Sequence, residues 1–197
     1  MQDKIIELKA QVSEAAANPD FVHHNWFVKW HLEIVEKIVF ELLEFYPNAD
    51  KDVVEVMAWM HDYGKILDFD NQYQTTLTKG KELLKSLGFA GDFIDRVIDN
   101  IELLDNKMNV DLHTAPIEVQ IVSSADGCSH MVGPFMSVWW LENANKPFEE
   151  LMTDNQKKSD KDWNRKIVLP EARKAFEQRY KYIQEQSGNL PEKFLND

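Results

Sequence analysis

Residues 53–60 read Val-Val-Glu-Val-Met-Ala-Trp-Met and run straight into His61-Asp62-Tyr63-Gly64-Lys65. An apolar helix that brings an imidazole and a carboxylate to its buried end has taken two polar groups out of water. Such groups must be hydrogen-bonded, paired or metal-bound. The rest of the chain therefore has to supply partners at that point. His31 lies upstream and Asp126 downstream, each on an apolar helical stripe. Two histidines and two aspartates form a suitable ligand set for a hard or borderline divalent metal.

The stripes extend through most of the sequence. Residues 2–17 place Ile5, Leu8 and Val12 at helical spacing, and Asn18-Pro19-Asp20 ends that helix. After His23-His24-Asn25, a long helix is expected from Trp26 to Tyr46, its inward stripe being Phe27, His31, Ile34, Ile38, Leu42 and Phe45. Asp50 is a good N-cap for a helix running to about Asp62, with Gly64 as its C-terminal glycine. Residues 68–75 are polar and irregular, which suggests a loop beside the site. Helices are then expected over Thr76–Leu87 and Gly91–Leu104, followed by a loop to Ala115. Pro116 opens the helix that carries Asp126, and Gly127 and Gly133 raise the question of a kink. A linker at 141–146 and a short helix at 148–152 lead to a charged, exposed segment, 154–162. A last helix, 163–186, includes Pro170 as a bend and gives way to a frayed tail. No segment alternates with period two and no hairpin signal occurs. The expected fold is all-α, a compact bundle of about seven to nine helices. It forms a single domain over 1–197, with a core at about 25–132 and a C-terminal arm at about 147–187.

Composition narrows the function. The formal net charge of -12 argues against binding duplex nucleic acid, which takes many Lys and Arg contacts to phosphate. A small phosphorylated substrate remains compatible, because a metal supplies local positive charge. No apolar run approaches the ~20 residues that span a bilayer. The first residues lack a signal-peptide layout, so a cytoplasmic location is expected. The one cysteine, Cys128, cannot form an internal disulfide and reads as packing.

The order His31 … His61-Asp62-Tyr-Gly-Lys … Ser-Ala-Asp126-Gly, spread over residues 25–132, resembles the HD superfamily of metal-dependent phosphohydrolases. The resemblance implies that His31, His61, Asp62 and Asp126 hold one divalent metal ion, with Mn, Co, Ni, Mg, Zn and Fe all candidates. It also implies hydrolysis of a phosphoester of a small metabolite, a nucleotide by first choice, through a metal-activated water. Asp62 is placed to orient or deprotonate that water, and Lys65, about one turn on, to hold the phosphate. His130, four residues after Asp126, shares its helical face and is a candidate for substrate contact, as is Lys166. The chain departs from two-metal relatives in one respect. Between Asp62 and Asp126 it has only His113, with Asp95, Asp99 and Glu102 as carboxylate alternatives. One metal is therefore expected.

Blander readings exist for each residue. Lys65 would suit a helix C-terminus, Arg165, Lys166 and Arg173 a solvated face, and Phe135 with Trp139-Trp140 a core or an interface. His23 and His24 read as loop residues. The rival readings of the whole are a catalytically silent metal-stabilised HD module that binds a ligand or partner, and a di-iron oxygenase of the HD type.

Overall fold

A computed structural model describes residues 1–195. Within them the chain is helical and contains no strand, in agreement with the all-α expectation. The helices are α1 (Gln2–Ala16), α2 (Glu33–Leu43), α3 (Lys51–Met60), α4 (Tyr63–Leu67), α5 (Gln72–Ser86), α6 (Gly91–Asp105), α7 (Ile117–Ser129), α8 (Phe135–Glu142), α9 (Phe148–Lys161) and α10 (Pro170–Gln186). Two five-residue π turns, Val28–Leu32 and Asp162–Lys166, are fused to the start of α2 and the end of α9. No described helix is long and apolar enough to cross a membrane.

The apolar residues of α1 (Ile5, Leu8, Val12), α2, α3, α6 and α7 pack with Ile167, Leu169 and Ile183 near the C-terminal end into one connected core. α2 lies along α7, and α3 is held between α6 and α7. α3 is buried along its whole length from Val53 to Met60, as a central helix must be. Asp50 caps it as expected: its carboxylate accepts from the N–H groups of Asp52 and Val53.

Several local expectations change. The long second helix begins with the π turn, after which the buried stripe is broader than expected, although Ile38 and Leu42 are buried as expected. Val35 and Val39 are buried, whereas Ile34 is only half-buried. Phe45 lies past the end of α2 and is 61% exposed. α5 starts at Gln72, so the loop after α4 is confined to 68–71. α7 runs through Gly127 without interruption, and Gly133 takes up its left-handed φ of 63° in the turn before α8. Gly64 is not a helix end but an interior residue of α4. A Cβ there would stand 1.9 Å from Gln72 O and 2.4 Å from Thr76 N, so glycine is required by the close approach of α4 to α5.

The largest difference concerns residues 148–186. The short helix and exposed charged segment are one helix, α9 with its π turn, and its inward stripe is Leu151, Asn155, Ser159, Asp162 and Lys166, all buried. A search for apolar periodicity passes over such a stripe because four of its five members are polar. Pro170 starts α10 rather than bending a longer helix, which suits a residue without an N–H. The expected tail carries no helix from Asn189 to Leu195; its last two positions, 196–197, lie outside the described residues.

Candidate metal centre

His31 comes from the first π turn, His61 and Asp62 from the junction of α3 and α4, and Asp126 from α7. The four side chains converge. His31 Nε2 is 3.3 Å from His61 Nε2, 3.5 Å from Asp62 Oδ2 and 3.9 Å from Asp126 Oδ1. His61 Nε2 is 3.7 Å from Asp62 Oδ2 and 3.8 Å from Asp126 Oδ1. Donor atoms that share one ion at about 2.0–2.2 Å stand about 3–4 Å apart around it.

The hydrogen bonds of the imidazoles show why a cation fits. His61 Nδ1–H donates to Ala58 O at 2.9 Å, which leaves Nε2 as a bare lone pair. Ser129 Oγ–H donates to Asp126 O at 2.7 Å, so the same oxygen accepts from His31 Nδ1–H at 3.1 Å. His31 Nε2 is therefore also bare. Two buried lone pairs face each other at 3.3 Å, with carboxylate oxygens beside them and no proton between. An ion satisfies all of these groups at once.

Protonation agrees with this assignment. Burial lowers the His31 pKa to about 4, against the raising effect of Asp62 and Asp126. The ring is neutral at physiological pH and able to ligate. Burial alone would raise Asp62 and Asp126. Lys65 holds Asp62 well below the usual carboxylate range, and Lys166 does so for Asp126.

A second row of charge stands behind Asp126. Lys166 Nζ donates to Asp126 Oδ2 and lies 3.6 Å from Asp162 Oδ1. His130 joins the same two aspartates, its Nε2 3.3 Å from Asp126 Oδ1 and its Nδ1 2.9 Å from Asp162 Oδ2. Lys158 Nζ donates to both oxygens of Asp162, at 2.9 and 2.7 Å. The His130 ring stacks on that of His31, with centroids 5.1 Å apart and planes 6° from parallel. His31, Asp126 and His130 thus form a ligand-competent trio that shares two members with the quartet. The spacing of Asp126 and His130 pointed to this neighbourhood. Asp162 and Lys158 carried no apolar signal, and only the i, i+4 recurrence of polar residues in 155–166 marks them.

A cavity of about 380 Å³ opens beside the centre. His31, His130, Lys65 and Lys158 border it at the metal end, and Trp26, Phe27, Phe69, Phe135 and Trp139 form much of its wall. Lys65 also pairs with Asp62. Lys166, expected to meet substrate, is 6% exposed, is spent on Asp126 and Asp162, and does not line the cavity. Lys158 does. Of the carboxylates considered for a second ion, Asp95, Asp99 and Glu102 are exposed, as is His113. Cys128 is fully buried, and burial pushes its thiol pKa up, so it packs rather than reacts.

A helical bundle whose central helix ends in a His-Asp pair, completed by a histidine and an aspartate from flanking helices, defines a scaffold able to hold a metal ion. The family model described as HD domain matches residues 29–131, just over half of the chain, and the chain belongs to that family. It is also similar to the 3'-5' exoribonuclease YhaM of Listeria welshimeri serovar 6b, at 21% identity over 94 residues. That alignment covers 46% of this chain and 30% of the relative, so the two share less than a third of the exoribonuclease's length. No solved structure matches.

Proposed function

We propose that the chain is a phosphohydrolase with one divalent metal held by His31, His61, Asp62 and Asp126, acting on a phosphoester of a small metabolite, with a nucleotide as first choice. The observation that carries this reading is the pair of bare Nε2 lone pairs facing each other between two aspartates, beside a cavity that His31 and two lysines border. When bound, the ion supplies Lewis acidity and a nucleophilic water at neutral pH. Asp62 would orient that water and take up its proton. Lys65 and Lys158 hold the phosphoryl oxygens as point charges, with His130 beside them. Lys166 pairs with the outer oxygen of Asp126 and offsets that buried charge. Residues 147–187 close the site from behind, which makes the arm part of one functional unit.

The cavity lies at the small end of the range for small-ligand sites, which suits a mononucleotide better than a polymer. The exoribonuclease relative favours a second reading, removal of nucleotides from an RNA 3' end; the net charge of -12 weighs against it. Protein stripped with chelator and reloaded with Mn, Co, Ni or Mg should hydrolyse an aryl phosphate and members of a nucleotide panel, and Asp62→Asn should abolish turnover while remaining folded. Shortening of a single-stranded RNA oligonucleotide in preference to monophosphates would favour the exonuclease reading. Metal uptake with no turnover of any substrate would leave a silent binding module.

A further inference from the structure

The end of the cavity remote from the metal is built around Glu142. Its Oε1 accepts from Trp26 Nε1–H at 2.7 Å and pairs with His23 Nδ1 at 3.0 Å. Among the described residues no donor meets Oε2. The carboxylate is largely buried, with 14% of the side chain exposed, and lines the cavity together with Trp26 and His23. The indole N–H is pinned to the carboxylate, so Glu142 stands at the edge of the Trp26 ring. A flat group lying on that ring carries its own edge to Oε2. From Trp26 the wall leads to Phe135 (centroids 5.6 Å apart) and on to His130 (4.1 Å) at the metal end.

The two ends have opposite demands. Lys65 and Lys158 sit at the metal end and attract an anion, whereas Lys146, which also lines the cavity, is paired with Glu150 and Asp154. A carboxylate repels one and accepts hydrogen bonds only. A ligand that satisfies both has a phosphate at one end and a planar group with N–H donors at the other.

We propose that Glu142 reads the base, so that this site takes nucleoside 5'-monophosphates whose base carries an exocyclic amino group in preference to those with an oxo group at that position. This rests on the reading of the cavity as the substrate site. A carboxylate accepts from an amino N–H and is repelled by a carbonyl oxygen placed there. Glu142 is thus a specificity residue, remote from the reacting atoms.

The test is a set of binding constants from tryptophan fluorescence, in chelator so that nothing is turned over. CMP is compared with UMP and AMP with IMP, and ribose 5-phosphate serves as the probe without a base. The expected result is at least about tenfold tighter binding of the amino member of each pair. Glu142→Gln keeps an acceptor for Trp26 and adds donors, and it should erase or reverse the preference. Equal binding within the pairs, binding of ribose 5-phosphate as tight as that of nucleotides, or no nucleotide binding would overturn the proposal. So would a preference unchanged in Glu142→Gln. Should that variant fail to fold, the wild-type pairs decide alone. A base preference without hydrolysis of any phosphoester would sink the hydrolase reading and leave this one standing. Hydrolysis without base preference would do the reverse.

Discussion

Replacing Lys166 by methionine separates a structural charge from a substrate contact. The methionine keeps most of the buried stem packing and removes the ammonium between Asp126 Oδ2 and Asp162 Oδ1. Asp162 retains Lys158 on both oxygens and His130 at 2.9 Å, so the cost falls on Asp126. Breaking a buried pair costs about 3–5 kcal/mol, and with Asp162 still served the low end, about 3 kcal/mol, is expected. For a chain of this size that is roughly 6–12 °C in melting temperature. A metal ion on Asp126 Oδ1 compensates the freed charge and should cut the loss to about 1 kcal/mol. The difference of about 2 kcal/mol must then appear in metal affinity, by the reciprocity of linked equilibria, as roughly thirtyfold tighter binding in the variant. Urea unfolding followed by circular dichroism, with chelator and with Mn, measures the first quantity; competition against a chromophoric chelator measures the second. A metal-free loss under about 0.5 kcal/mol, or weaker metal binding in the variant, would refute the role given to Lys166.

Gly64→Ala should destabilise the metal-free protein by about 3 kcal/mol or more in denaturant unfolding, since the new Cβ meets backbone atoms of α5 that cannot step aside. Metal should protect the wild type against heat, by about 2.7 kcal/mol at a free concentration one hundred times Kd, and His61→Asn should remove that protection while the metal-free melting point moves little. Asp105 gives a pH signature: its Oδ2 is buried without a partner among the described residues, and burial raises its pKa from an ordinary 3.8 to about 7. The folded chain therefore holds this proton more tightly than the unfolded chain. The stability it contributes is complete below about 3.8 and is lost as pH rises through about 7. Asp105→Asn should match the wild type near pH 4 and gain on it steadily up to pH 8, by at most about 4 kcal/mol. A gain independent of pH would show that the carboxyl is not held neutral.

What could be read from the sequence divides along a physical line. Apolar periodicity reports helices that bury apolar faces, and α1, α3, α6 and α7 emerged with their inward residues because those faces are built of Ile, Leu, Val and Met. The His-Asp quartet was legible for a related reason. Its members interrupt apolar stripes, and a polar residue on a buried stripe is a cost that calls for an explanation. α9 buries Asn155, Ser159, Asp162 and Lys166 instead. These residues satisfy one another and their neighbours, so their composition looks like that of a solvated surface. Gly64 shows a different limit. The same residue type serves helix ends and close backbone contacts, and only the position of α5 distinguishes the two.

The π turns account for the rest. Glu33 N–H bonds to Val28 O, and Ile167 N–H to Asp162 O, each spanning one residue more than an α-helical turn. Such turns are less favourable than the α-helix and concentrate where a side chain has to be re-aimed. One carries His31; the other carries Asp162 and Lys166. In a regular helix, a polar group can face the core only by taking a place on the stripe that packs there. An extra residue frees that constraint: His31 and Leu32 are both buried, as are Lys166 and Ile167, although neighbours in a regular helix diverge by about 100°. The buried polar centre and the apolar core can then occupy consecutive residues of the same helix. The π turns supply that arrangement for His31 and Lys166, whereas α3 and α7, buried on several sides, bring in His61 and Asp126 on regular turns.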